Sequence, residues 1–309
     1  MITPRFAWRA ALTLALTATS GCAYFATYDD ADLDSGLHPI PSVLLSRTHP
    51  HPTDADRDRP VVIAAHGFSS TSWEAGPLTE SLAKRGIRVS AVTLGGHGTS
   101  LEDFRKSDWR AWGAPMIAEY KALRAQGYRK IAIAGHSTGA TLWLRALADG
   151  TLGTVPERMI FVAPLIEFAP KTRGIYFAGL FPWVGIRGIT RPVKGESKGR
   201  LYHVRPVEAL QNLAELTTGV RRTLTTGLAL PARTRVLVIQ GDGDDVVDAS
   251  GTRLLTTGLI GAQTQLVTVG SWMHNPIGPD GIQGHRFTPA EAALRERLLT
   301  AIGDHVAQP

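Results

Sequence analysis

Three stretches of this chain carry residue types that together can transfer an acyl group. Ser137 stands at the centre of Gly135-His136-Ser137-Thr138-Gly139. A cluster of aspartates follows at Gln240-Gly241-Asp242-Gly243-Asp244-Asp245-Val246-Val247-Asp248, and then His274 within Ser271-Trp272-Met273-His274-Asn275. A serine hydroxyl is a poor nucleophile at neutral pH and needs a base, itself oriented by an acid. Serine, acid and histidine in that chain order is one of the known arrangements of such a trio. The chemistry is attack on a carbonyl carbon, with the acyl group held for a time on the serine oxygen.

Each assignment competes with a plainer one. A serine between glycines can simply cap a helix. Here the motif follows an apolar strand-like run and precedes a helix-like one, the setting in which the turn is sharp enough to expose the hydroxyl. The glycines then make room where side chains would collide with neighbouring elements. The acid is one of Asp242, Asp244, Asp245 and Asp248, the others being solvated loop charges. His274 lies just past the last strand-like run, and catalytic groups gather at strand C-terminal ends in open parallel sheets. His285 is the runner-up but sits closer to the final helix. His66, His97 and His136 read as loop-structuring residues. The developing oxyanion needs two N–H donors. One is the backbone N–H of Thr138, directly after the nucleophile. The other lies in His66-Gly67-Phe68 and is assigned to Phe68.

The elements that must position these groups alternate regularly. Val61–Ala65 is wholly apolar, as expected of a strand buried on both faces. Residues 74–85 carry Leu78 and Leu82 four apart and stop at Gly86, a helix. A strand at 87–93 follows. Trp109, Trp112, Met116, Tyr120 and Leu123 form one apolar stripe on a helix. Strands are expected at 130–134, 159–163, 235–240 and 265–269, with a covered helix at 140–148. Thr288, Pro289 and Glu291 form a capping box that opens a final helix. Strands alternating with helices imply an α/β fold with a mostly parallel central sheet flanked by helices. Between Pro164 and Leu230 the alternation breaks and no strand pair is expected. That stretch holds an aromatic run (Tyr176, Phe177, Phe181, Trp183), a basic loop and a helical pattern in Val207, Leu210 and Ala214. Phe181 and Trp183 read either as the insert's own core or as an apolar wall or membrane-touching lip.

The 309 residues suffice for one large domain, and 43% hydrophobic with 19% charged residues is a globular composition. A formal charge of +6 without a Lys/Arg run gives no case for nucleic acid. Arg5 and Arg9, an apolar stretch from Ala10 to Ala18 and small residues Thr19-Ser20-Gly21 have the pattern of a secretory signal peptide over 1–21. Cys22, the single cysteine, follows directly, an arrangement that resembles the lipobox of bacterial lipoproteins, although Thr19 stands where that box usually carries Leu. Lipidation at Cys22 would attach the exported chain to the membrane of the cell envelope; plain cleavage would leave it soluble and secreted. Residues 22–60 read as a tether with an edge strand at Val43–Leu45. His49 and His51 there could touch a metal, but a solvated loop is the commoner case, and Asp54, Asp56 and Asp58 lack the glycine and distal glutamate of a calcium loop. No metal or organic cofactor is implied.

With strand, HGF loop, serine turn, acid cluster and histidine in this order, the chain resembles the α/β-hydrolases, most of all monoglyceride lipases and small bacterial carboxylesterases. The likeness runs from Val61 to Ile302 and includes Gly95-Gly96-His97-Gly98. It implies a core in two parts, 61–163 and 231–309, with a helical cap at 164–230 inserted before the acid. The turn Gly241–Gly243 and the following valines resemble the family's pattern around its acid, which selects Asp244, with Asp242 or Asp245 next. Thr138 departs from the Met or Gln often found after the nucleophile. The resemblance implies hydrolysis of carboxylic esters with an apolar acyl group, a small-molecule or lipid ester as partner, and Ser137, Asp244 and His274 as the triad. An acyltransferase, thioesterase or serine peptidase could use the same trio. An aspartate nucleophile, as in dehalogenases and epoxide hydrolases, is excluded by Ser137. A non-catalytic envelope lipoprotein is the reading from another class.

Overall fold

A computed structural model of the chain describes residues 24–26 and 52–308. The signal segment, Cys22, the strand expected at Val43–Leu45, His49 and His51 lie outside the described residues.

Six strands form the central sheet: β1 (Val61–Ala65), β2 (Arg88–Val92), β3 (Ile131–His136), β4 (Arg158–Val162), β5 (Arg235–Gly241) and β6 (Gln263–Val269). Their order is β6-β5-β4-β3-β1-β2, and every neighbouring pair is parallel. The apolar runs are continuous because both faces are covered. Val61, Ile63 and Ala65 pack on one side with the helices α2 (Trp109–Ala125) and α3 (Thr138–Ala148), through Trp112, Met116 and Trp143. Val62 and Ala64 face the other side, where α1 (Gly76–Ala83) contributes Leu78 and Leu82 and the C-terminal helix, Pro289–Ala307, contributes Leu298 and Ile302. That last helix opens as its sequence predicts, with Thr288 and Glu291 in a capping box and Pro289 in the first turn.

Because β1 lies between β2 and β3, the chain leaves β2 on one side of it and returns on the other. The loops after β1 and β3 therefore diverge and open a crevice at the strands' C-terminal ends. The loop after β1 is His66-Gly67-Phe68 and the turn after β3 contains Ser137.

Several elements differ from expectation. Asp54–Asp58 is a short helix with Thr53 and Asp56 in a capping box, where a loop is expected, and Asp56 also pairs with Arg88. A 3-10 turn, Ser72–Ala75, precedes α1, which moves the start of the regular helix from residue 74 to Gly76. The helices Leu101–Lys106 and Ala249–Gly258 have no counterpart in the sequence reading. The insert is not free of strands. Gly188–Thr190 pairs antiparallel with Val204–Pro206 and with Tyr24–Ala26, and Leu228–Ala229 pairs in parallel with Leu259–Ile260. Strands of two or three residues are too short to carry a period, so the basic loop at 191–203 concealed the hairpin that closes it.

The rest of the insert is a 3-10 segment, Arg173–Val184, and a long helix, Val207–Thr226. Phe181, Ala178 and Ile186 pack with Val207 and Leu210 as the insert's own core, whereas Trp183 is 87% exposed. The first residues of the insert are bound to the aspartate loop by backbone contacts. The Ala169 N–H donates to Val246 O at 3.0 Å, the Asp248 N–H donates to Glu167 O at 2.9 Å, and Phe168 bridges Val247. Ion pairs Lys171–Asp245 (3.1 Å) and Arg173–Asp248 (3.3 Å) reinforce them.

Candidate active site

Ser137 sits between β3 and α3 with φ 50° and ψ −115°, a region that non-glycine residues rarely adopt. Its backbone is held on several sides. The Ser137 N–H donates to Val162 O (3.0 Å), and its carbonyl accepts from the N–H groups of Ala140 and Leu165. The two glycines of the motif are required by space. A Cβ on Gly135 would come within 2.4 Å of Ala140 N, and one on Gly139 within 2.4 Å of Ala65 O and 2.7 Å of His66 O. The turn thus brings the start of α3 hard against the end of β1.

Of the competing acids, the structure brings Asp244 to His274: Oδ2 lies 2.8 Å from Nδ1. A carboxylate only accepts, so Nδ1 carries the proton and Nε2 is left as the basic nitrogen. The other oxygen, Oδ1, accepts from the N–H groups of Val246 (2.8 Å) and Val247 (3.1 Å). The carboxyl side chain is 1% exposed. Burial alone would raise its pKa, but the adjacent imidazole and these N–H donors hold it below the usual carboxylate value. The remaining aspartates have other partners. Asp242 accepts from the Ser271 N–H, Asp245 pairs with Lys171, and Asp248 caps the helix Ala249–Gly258. His285 bonds Glu291 of the last helix. Among the described residues no hydrogen bond joins the Ser137 hydroxyl to His274.

The histidines expected to organise loops do so. The Leu94 N–H donates to His66 Nε2 (3.0 Å), so His66 Nδ1 donates to Gly67 O (2.8 Å). Burial lowers the His66 pKa to about 4 and that of His97 to about 3, so both are neutral. Phe68 packs its ring against His97, Phe104 and Trp112.

Sequence reasoning missed one residue of this region altogether. Glu74, in the 3-10 turn, is buried, and its Oε2 accepts from the Gly67 N–H (2.9 Å) and from His136 Nδ1 (2.8 Å). His136 Nε2 then donates to the carbonyl of His274 at 3.2 Å. Burial would raise the pKa of Glu74, yet His136 beside it holds it down to about 2. Burial works against a charge on His136, and Glu74 outweighs it, so that pKa is raised. The only hint in the sequence is a histidine next to the nucleophile and a glutamate seven residues beyond Gly67, at the start of the expected helix; their meeting is tertiary.

Residues 56–278 match the family described as serine aminopeptidase, S33. The chain belongs to this family. Within the family's reach it is similar to a thermostable monoacylglycerol lipase of Bacillus sp. (strain H-257), at 27% identity over 69% of this chain and 82% of that one. It is also similar to a carboxylesterase of Bacillus subtilis (strain 168), at 25% identity over 53% of this chain and 65% of that one. Its fold matches that of a soluble variant of monoglyceride lipase from Saccharomyces cerevisiae with a TM-score of 0.63, covering 85% of this chain and 91% of that one at 13% identity. The protein is a serine hydrolase of the α/β type, related to carboxylesterases and monoacylglycerol lipases.

Proposed function

We propose that this S33-family hydrolase cleaves carboxylic esters with an apolar acyl group through an acyl-enzyme on Ser137, with Asp244 and His274 completing the triad. The observation that carries this reading is the 2.8 Å contact from His274 Nδ1 to a buried, otherwise satisfied Asp244, at the same end of the sheet as the strained Ser137 turn. Ser137 Oγ attacks the ester carbonyl carbon as His274 Nε2 takes its proton. The N–H groups of Phe68 and Thr138 receive the charge that develops on the carbonyl oxygen. The C–O bond to the alcohol breaks, and His274 returns the proton to the departing oxygen. Water, deprotonated by His274, then releases the acid and restores Ser137.

Labelling with a fluorophosphonate, followed by an ester panel graded in acyl length, tests the proposal. The wild type labels and Ser137→Ala does not; a labelled Ser137→Ala protein overturns the assignment of the nucleophile. The family's description favours a second reading, cleavage of a peptide next to a free amine. A substrate ammonium there needs a free carboxylate. The four glutamates of the insert already hold donors: Glu167 binds Arg221, Glu196 binds Arg286, Glu208 binds Arg105 and Glu215 accepts from the Trp109 indole. Preference for aminoacyl amides over every ester would reverse the order of the two.

We propose further that residues 1–21 are removed and Cys22 is lipidated, tethering the protein to the cell envelope. The lipobox-like sequence supports this, as does the character of the insert. Phe177, Leu180 and Trp183 are 63%, 60% and 87% exposed, and the segment 164–230 carries ten basic residues against four acidic ones. Such a face suits an anionic lipid surface. Palmitate incorporated into the wild type and absent from Cys22→Ala is the expected result; equal incorporation into both removes the anchor.

A further inference from the structure

The Glu74–His136 contact stands at a junction of three loops. Its carboxylate holds the N–H of Gly67, the residue before the proposed oxyanion donor Phe68. Its imidazole belongs to the residue before Ser137 and reaches the backbone of His274 through its second nitrogen. Both nitrogens of His136 point at atoms that only accept, a carboxylate and a carbonyl, so the ring carries two protons and a positive charge. The side chains of Glu74 and His136 are both largely buried. Gly67 is packed against them so closely that a Cβ there would meet His136 Nδ1 at 2.9 Å and Glu74 Oε2 at 3.4 Å. His66 adds a second tie to the same loop, since its Nδ1 bonds Gly67 O while its Nε2 holds the Leu94 N–H.

A buried ion pair is a poor source of stability, because desolvating two charges offsets most of their attraction. What it does supply is geometry. Two charge-assisted hydrogen bonds on one oxygen, plus one more from the far side of the ring, leave little freedom to any of the three backbones they touch. We propose that Glu74 and His136 are a positioning pair that sets the oxyanion loop, the nucleophile turn and the His274 backbone at a fixed mutual spacing for catalysis. Neither side chain touches substrate. The inference rests on the reading of Ser137, Asp244 and His274 as the triad.

Steady-state kinetics on a soluble chromogenic ester, the rate of fluorophosphonate inactivation and thermal melts, all on the full chain, test it with Glu74→Ala, Glu74→Gln, His136→Ala and the double variant Glu74→Ala/His136→Ala. Loss of the shared acceptor loosens the oxyanion loop, and one oxyanion donor is worth about 10²–10³ in rate. Glu74→Ala is expected to lower kcat by about 10²-fold with KM changed less than about threefold. Glu74→Gln, which keeps an acceptor for the Gly67 N–H, recovers at least about tenfold of that loss. The double variant falls no lower than the worse single one, since the two residues act as a unit. Inactivation rates fall in the same order, while the melts show a folded protein at the assay temperature. Two results overturn the proposal: kcat within about twofold of wild type in Glu74→Ala, or losses that Glu74→Gln does not relieve and that follow the unfolded fraction. If the wild type does not react at Ser137 at all, it is the triad that fails and not the pair.

Discussion

Replacing Asp244 by Asn keeps size and shape and changes only which atoms donate. The wild-type carboxylate accepts on both sides, from two backbone N–H groups at Oδ1 and from His274 Nδ1 at Oδ2. An asparagine has one acceptor. If its NH₂ faced Val246 and Val247, it would set donor against two buried donors, at a cost of about 1–3 kcal/mol for each group left unpaired. The oxygen therefore stays with the valines, and the NH₂ turns to His274. Nδ1 must then accept, the ring proton moves to Nε2, and the nitrogen meant to receive the Ser137 proton is already protonated. The Gln240 amide, 3.4 Å from Oδ2, is a further donor on that side and gives no relief. A wrong tautomer held in otherwise unchanged geometry costs about 10⁴ in kcat in an analogous triad. That is about 5.5 kcal/mol of barrier. Turnover of a soluble ester by Asp244→Asn, measured beside its melting temperature, is the assay. A folded Asp244→Asn protein working within about tenfold of wild type would show that another group orients the base, and the assignment would be wrong.

Other outcomes follow from the same geometry. Ser137→Gly relieves backbone strain at φ 50° worth about 1–3 kcal/mol. It is therefore expected to be inactive yet to melt about 2–4 °C above Ser137→Ala; equal melting temperatures would refute the strain. Gly139→Ala drives a Cβ into the carbonyls of Ala65 and His66 and should cost at least about 1–3 kcal/mol together with fluorophosphonate labelling; wild-type labelling would contradict the close approach. His66, His97 and His305 are held neutral by burial, with pKa values lowered from 6.5 to about 4, 3 and 4. Near pH 5 the unfolded chain binds these protons and the folded one does not, so stability falls on acidification by up to about 4 kcal/mol per pH unit. Glu74, lowered to about 2, adds loss of the same sign below pH 4.5. His136, with its pKa raised, acts oppositely and gives up its contribution as pH rises through its folded value. Melts at pH 7, 6 and 5 check the sum, and a flat profile would be inconsistent with buried neutral histidines.

Much of the sheet was legible because a strand covered on both faces must be apolar at every position. Val61–Ala65 reads so directly, and its neighbours have the same character. Strand ends were less so. β3 runs on through Gly135 and His136 into the motif itself, since neither residue signals continuation of a strand. The helix Ala249–Gly258 is hard to read because its only large apolar residues, Leu254 and Leu255, are adjacent rather than three or four apart, among Thr and Gly residues of low helix propensity. Of the site, Ser137, Asp244 and His274 stood out by type, order and position, and the structure brings the last two into contact. The rivals Asp242, Asp245, Asp248 and His285 were separable only by their partners, which no spacing reveals. Glu74 escapes notice for the same reason: a glutamate at the start of an expected helix is usually a solvated charge, and only the fold buries it against His136.

The insert shares its hydrogen bonds with the loop that cradles the acid. Val246 and Val247 give their N–H groups to Asp244, while the Val246 carbonyl receives the Ala169 N–H and the Thr172 hydroxyl. Residues 167–173 are therefore as much a part of the charge-orienting machinery as of the roof above it. A chimaera that exchanges the roof for that of a relative has to splice beyond position 173. Cut at Pro164, the graft would carry away one wall of the acid's socket, and altered chain-length selectivity would be confounded with a misdirected imidazole.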